Sequence, residues 1–172
     1  MSRMDNAMRH ALNAQVNMEM FASYQYLAMA AYFESINMRG FAQWMRSQAE
    51  EETVHAMKIF EFMLDRDETP NLQAIGEPNQ TFESPLDAFE GALAHERKVT
   101  KSIYDLYELA TEHRDYPAQM LLQWFITEQV EEESAVGAVV DRLKFAGDHP
   151  GALFMLDSEI MTQRDEDHDH GE

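Results

Sequence analysis

Four long stretches without a strong breaker constrain this chain more than any other feature. They cover approximately residues 5–34, 41–66, 86–112 and 118–146, contain no proline and two glycines, and are rich in Ala, Leu, Met, Glu and Gln. Each is long enough for about seven turns of helix, and that composition favours helix over strand. The punctuation agrees with this reading. Residues 36–40 read as a short turn, Ser84-Pro85 as an N-cap with proline at the first helical position, residues 113–117 as a break, and Gly147 as a C-terminal cap. Residues 67–83, with Pro70, Gly76 and Pro78, are too many for a hairpin but enough to run the length of a bundle. The expected order is hairpin, long crossover, hairpin. A short fifth amphipathic helix should start near Pro150, within one domain spanning 1–162, followed by an acidic tail over 163–172 read as disordered.

Bundle helices need apolar residues at alternating steps of three and four, and all four stretches supply such a seam. Each seam is interrupted near its middle by a carboxylate. The first reads Val16, Glu19, Ser23, Tyr26 and the second Met45, Gln48, Glu52, His55, Ile59. The third reads Leu93, Glu96, Thr100, Ile103 and the fourth Phe125, Gln129, Glu132, Val136. Glu19 is the only acid between Asp5 and Glu34, so general acidity of that helix does not explain it. The interruptions are also in register. Glu19 to Glu52 and Glu96 to Gln129 both span 33 residues, while Glu19 to His55 and Glu96 to Glu132 both span 36. Two hairpins built alike, offset by 77 residues, would bring these groups to one level, and residues three apart on a helix share a face.

Charge is what separates the readings of such a layer. The chain has 13 Lys+Arg against 32 Asp+Glu, a net charge of −19, and none of the four seams carries a basic residue at this level. Burying one unpaired carboxylate costs several kcal/mol, so four of them need protons, water or cations. Two divalent metals would supply the matching charge. Zero Cys removes disulfides, thiolate catalysis and sulfur-bound metal sites, leaving oxygen and imidazole as ligands. That donor set suits iron or manganese and also admits zinc. A polar layer that merely fixes helix register is the competing structural reading. Acidity argues against nucleic acid and anionic membranes as partners. Residues 1–8 contain no apolar signal core and the longest mostly apolar run, 26–33, is far short of a membrane span, so the protein is expected to be cytoplasmic.

At these residues the sequence resembles the ferritin family over about residues 4–161, and bacterial non-haem ferritins in particular. Asn17-Met18-Glu19, Glu50-Glu51-Glu52-Thr53-Val54-His55, His95-Glu96 and the run from Gln123 to Glu133 carry the resemblance. It implies an all-α, ferritin-like four-helix bundle with a long crossover between helices two and three and a short fifth helix. It also implies Glu19, Glu52 and His55 as ligands of a first iron, with Glu52 bridging. Glu96 and Glu132 would hold a second iron with Gln129 beside them, and Glu51, Glu128 and Glu131 would join Glu132 at a third. Tyr26 matches a tyrosine beside the di-iron centre that supplies an electron.

The implied activity is a ferroxidase, oxidising Fe(II) to Fe(III) with oxygen or hydrogen peroxide at two to three irons per subunit and storing ferric mineral in a homo-oligomeric shell of 24 subunits. Haem is not expected, because Thr53 and Gln129-x-x-Glu132 stand where the haem-binding relatives carry Met and Glu-x-x-His. Gln119 and Leu122 replace the acids that line iron channels in vertebrate relatives, and Val54 and Met57 replace acids of their mineral-nucleating face. Two alternatives stay open at this point: a small carboxylate-bridged di-iron oxidase acting on another substrate, and a bundle that only buffers metal. A large assembly would speak against the first, and oxygen consumption on Fe(II) addition against the second.

Overall fold

The computed structural model describes residues 4–169, with side chains to residue 161. Five helices follow in order: α1 Asn6–Ser35, α2 Arg39–Asp65, α3 Pro85–Glu112, α4 Tyr116–Ala146 and α5 Pro150–Asp169. α1 pairs with α2 and α3 with α4 as antiparallel hairpins, α1 lies against α3, and α5 packs across the ends of α2 and α4. This is the expected bundle with its crossover. Among the described residues no helix is long and apolar enough to cross a membrane.

The helix ends show why the boundaries fall where they do. Asp5 accepts from the Ala7 N–H at α1, Ser84 from the Asp87 N–H at α3, and Asp115 from the Ala118 N–H at α4, each satisfying an otherwise orphaned donor. Asp115 is also gripped through both oxygens by Arg66, at 2.9 and 3.2 Å, so the end of α2 is tied to the start of α4. Three C-termini close in the same way. Asn37, Asp67 and Arg114 adopt left-handed backbone with φ of 59, 56 and 51°, and the next N–H bonds back to the carbonyls of Phe33, Met63 and Ala110.

Two differences from the sequence reading concern α2 and α5. The expected turn at 36–40 is shorter, because Arg39 and Gly40 already belong to α2. Gly40 is there for close approach rather than for a turn: a Cβ at this position would lie 1.8 Å from the Asp157 carbonyl oxygen. Met38 offers no side-chain cap, and Asp157 of α5 does so instead by accepting from the Phe41 N–H at 2.8 Å. α5 itself continues to Asp169, past the expected boundary at 162, since no proline or glycine intervenes between Gly151 and Gly171. Residues 170–172 of the expected tail lie outside the described residues.

The interior is two apolar halves separated by a polar storey. One half gathers Phe33, Phe41, Trp44 and Phe89, with ring centroids 5.2–5.5 Å apart, together with Met45, Val136 and Leu143. The other gathers Met8, Leu12, Ile59, Met63, Ile103, Leu122 and Phe125. Burying each large side chain contributes about 1.5–3 kcal/mol, so the storey between is held at fixed height from both sides. The crossover is pinned along α1 by two side-chain amides that read its backbone. Asn13 bonds both the N–H and the carbonyl of Asn71, and Gln25 does the same for Asn79.

Candidate metal centre

All four bundle helices place polar side chains in the storey between the apolar halves. α1 contributes Glu19 and Tyr26, α2 Gln48, Glu52 and His55, α3 Glu96, and α4 Gln129 and Glu132. Glu19 and Glu96 are wholly buried, Glu52 is 1% exposed, and none of the others exceeds 4%. The matched spacings read from the sequence thus bring together every one of the inner candidates.

Their hydrogen bonds follow a pattern in which neutral groups hold the carboxylates. Gln15 donates from Nε2 to Glu19 Oε1 at 2.9 Å, and Gln48 from Nε2 to Glu132 Oε2 at 2.7 Å. Tyr26 donates its hydroxyl to Glu96 Oε1 at 2.6 Å, while Gln129 Nε2 reaches Glu96 Oε2 at 3.1 Å. His55 Nδ1 lies 3.2 Å from Glu52 Oε2. What remains unsatisfied is the telling part. Glu19 Oε2 and Glu52 Oε1 are buried and are reached by no N–H or hydroxyl, as is Gln129 Oε1, so the two carboxyls have only each other. Buried polar atoms are rarely left this way, and three acceptors at one level ask for a positive centre.

Electrostatics leads to the same requirement. Burial raises the Glu19 carboxyl above its usual range, against the partial relief of bonds with Glu52 and Gln15. Burial also raises Glu52 well above that range, and the charges of Glu96 and Glu19 push it further. Glu132 is pushed up to about 9 by burial and then by Glu96. The Tyr26 hydroxyl is likewise driven well up, by burial and by Glu96, Glu52 and Glu132, which keeps it a neutral donor. Without a cation, then, Glu132 retains its proton at neutral pH, and Glu19 and Glu52 are pushed the same way.

Among the described residues, ligand atoms within 4.8 Å of one another fall into three groups: Glu19, Glu52 and His55; Glu52, Glu96 and Glu132; and His55, Glu128 and Glu132. Oxygen donors with a single imidazole fit a divalent metal of the iron or manganese kind. Glu128 enters the third group through His55, whose Nε2 is 3.6 Å from Glu128 Oε1. Burial raises its carboxyl, and the charges of Glu131 and Glu51 add to that against the opposing pull of His55. Glu51, half-buried, and Glu131, exposed, sit at the rim of the site. Their charge reaches Glu128, but among the described residues neither places an oxygen in the three groups. Trp124 stands edge-on to His55 with centroids 5.5 Å apart, under the Lys58 ammonium 4.0 Å from its ring. His95, next to Glu96 in sequence, packs instead on Phe21.

Sequence reasoning missed Gln15 and Ser102 and gave Gln48 and Thr100 no role. Gln15 is 1% exposed and accepts from the Ser102 hydroxyl at 2.5 Å, while Thr100 accepts from Gln129 at 3.1 Å and donates to Glu133 at 2.8 Å. A signal was available for the glutamines. Each lies four residues before a seam carboxylate, and Gln15 to Gln48 is again 33 residues.

Comparison with known proteins gives concordant matches. The Ferritin-like domain family matches residues 9–146. The bacterial non-heme ferritin of Staphylococcus haemolyticus is 40% identical over 153 residues, covering 89% of this chain and 92% of that protein. The one from Staphylococcus epidermidis is 42% identical over the same shares. Among solved structures, the open pore ferritin of Archaeoglobus fulgidus superposes with a TM-score of 0.92 at 42% identity, covering 93% of this chain and 98% of that one.

Proposed function

Since this chain belongs to the ferritin family, whose business is iron storage, we propose that its buried storey is the ferroxidase centre and that iron is both its substrate and its cargo. Glu19, Glu52 and His55 bind the first Fe(II). Glu52, Glu96 and Glu132 bind the second, with Gln129 alongside, so that Glu52 bridges the two. Glu128 and Glu132, with Glu51 and Glu131 at the rim, receive a third on its way through. The observation that carries the reading is the pair of buried oxygens that no N–H or hydroxyl reaches, Glu19 Oε2 and Glu52 Oε1, in a layer with more carboxylates than counter-charges.

Two Fe(II) ions give one electron each to oxygen, which takes two protons and leaves as hydrogen peroxide. With peroxide as oxidant, two electrons and two protons give two waters. Carboxylates favour the higher ferric charge over the ferrous one, which lowers the potential of the pair and drives the transfer. Glu52 can follow the growing charge because one of its oxygens is held only by His55. Tyr26 is placed to supply an electron to the oxidant, its hydroxyl proton passing along the 2.6 Å bond to Glu96.

The chain acts in a shell of 24 copies in the cytoplasm, with two to three irons per subunit passing to the ferric mineral inside. Exposed apolar side chains support an assembly: Phe145 is 96%, Phe154 71% and Leu72 69% exposed in the single subunit, and copies packed on them would remove that surface from water.

The test is anaerobic Fe(II) addition at two per subunit followed by air. The wild-type protein is expected to oxidise iron in a fast phase that a Glu52→Ala, His55→Ala variant lacks. Equal rates in the two would overturn the assignment. Anomalous scattering at the iron edge after soaking should give peaks beside the named residues.

A further inference from the structure

Gln15 and Gln48 are buried amides that belong to none of the three ligand groups, yet each grips one oxygen of a carboxylate that does. We propose that they are positioning residues of the iron centre: Gln15, itself held by Ser102, fixes Glu19 to bind metal through a single oxygen, and Gln48 does the same for Glu132. The inference rests on the ferroxidase reading and adds residues that set the ligation mode.

The Gln15 arrangement has one chemically consistent orientation. A carboxylate needs a donor, so Nε2 faces Glu19 Oε1 at 2.9 Å, and Oε1 faces the Ser102 hydroxyl at 2.5 Å. Turning the amide over would set its oxygen against the carboxylate. The chain of donors therefore runs from α3 through Gln15 to α1. Glu19 Oε1 is then occupied, and Oε2, which no N–H or hydroxyl reaches, is the oxygen left for a metal. Gln48 acts across the hairpins, from α2 to Glu132 Oε2 on α4 at 2.7 Å, which leaves Glu132 Oε1 for ligation.

Neutral amides suit this task. A lysine or arginine in either place would neutralise the carboxylate and compete with the cation, whereas an amide orients it and leaves the charge for iron. The clamps are also one-sided. Positions 77 residues further on, matching Gln15 and Gln48 in the second hairpin, are Ala92 and Phe125, both buried and apolar. The first hairpin thus supplies both amides, and the second closes the layer against water.

Redox-inert Co(II), added without oxygen to the assembled protein, separates the two levels of the argument, because its visible spectrum reports coordination number. Gln15→Met keeps the volume and removes the donor. It is expected to change the Co(II) spectrum and to weaken the first equivalent by roughly 10-fold, the lower end of the effect of losing an outer hydrogen bond on a metal ligand. Ser102→Ala should shift the spectrum in the same sense and Ser102→Thr, which restores the hydroxyl, should return it. Gln48→Met should alter the second equivalent instead of the first. A Gln15→Met spectrum and affinity identical to wild type would overturn the proposal, and so would Ser102→Ala and Ser102→Thr behaving alike. Should Gln15→Met fail to fold, the serine pair decides. Failure of the ferroxidase reading looks different: the wild type would bind Co(II) but oxidise Fe(II) no faster than the Glu52→Ala, His55→Ala variant.

Discussion

Metal binding to this centre should displace protons, and the structure sets the scale. Glu132 is pushed up to about 9, so at pH 7 it holds its proton in roughly 99% of metal-free subunits. A metal that ligates Glu132 must expel that proton. Its apparent affinity at pH 7 is then lower than its affinity for the ionised site by about 100-fold, or about 3 kcal/mol. The sign is fixed: affinity rises with pH, by about tenfold per unit per displaced proton, until pH approaches 9. Glu19 and Glu52 are raised as well and add to the slope. Anaerobic Zn(II) titration by calorimetry, in two buffers of different ionisation enthalpy, counts the protons directly. About one proton per subunit should be released at pH 7 from Glu132, and Glu132→Gln should release one fewer than wild type. A pH-independent affinity, or equal release from both proteins, would refute the argument that Glu132 is protonated while it awaits metal.

Four further outcomes follow from the same structure. A folded-state pKa above the unfolded one favours folding fully below about 4.5 and less as pH rises towards 9, so the melting temperature of metal-free protein should fall across that window and Glu132→Gln should flatten the fall. Gly40→Ala drives a methyl into the Asp157 carbonyl, which should cost at least about 1–3 kcal/mol and expose α5 to limited proteolysis. Tyr26→Phe removes the 2.6 Å bond to Glu96 while keeping the ring, so anaerobic metal binding should survive and any tyrosyl radical seen by freeze-quench paramagnetic resonance should vanish. Arg114→Gly relieves a left-handed residue at φ 51° and should raise stability by about 0.5–1 kcal/mol in denaturant melts.

The bundle was legible in the sequence because long helices without breakers and seams of period 3.5 permit few other arrangements, and the carboxylates were legible because an acid on an apolar seam is costly. Glu19, alone in an acid-free helix, is the clearest case. Gln15 was legible only in its spacing, four residues before Glu19 and 33 before Gln48, whereas its tie to Ser102, 87 residues away, was not. Gly40 suggested a turn because glycine usually does, whereas here it admits the backbone of a helix distant in sequence. Two of the three left-handed helix ends carry Asp67 and Arg114, residues without the glycine signal. α5 continued where composition alone favoured its end, because polar residues do not stop a helix unless proline or glycine does.

The three ligand groups share members in a closed cycle: Glu52 joins the first to the second, Glu132 the second to the third, and His55 the third to the first. Removing any of these three damages two groups at once, so such variants cannot apportion function among irons. Glu19, Glu96 and Glu128 each belong to one group and are the separable knobs. A genetic dissection of this centre therefore starts from single substitutions at these three, and the shared residues will behave as if every iron depended on every other.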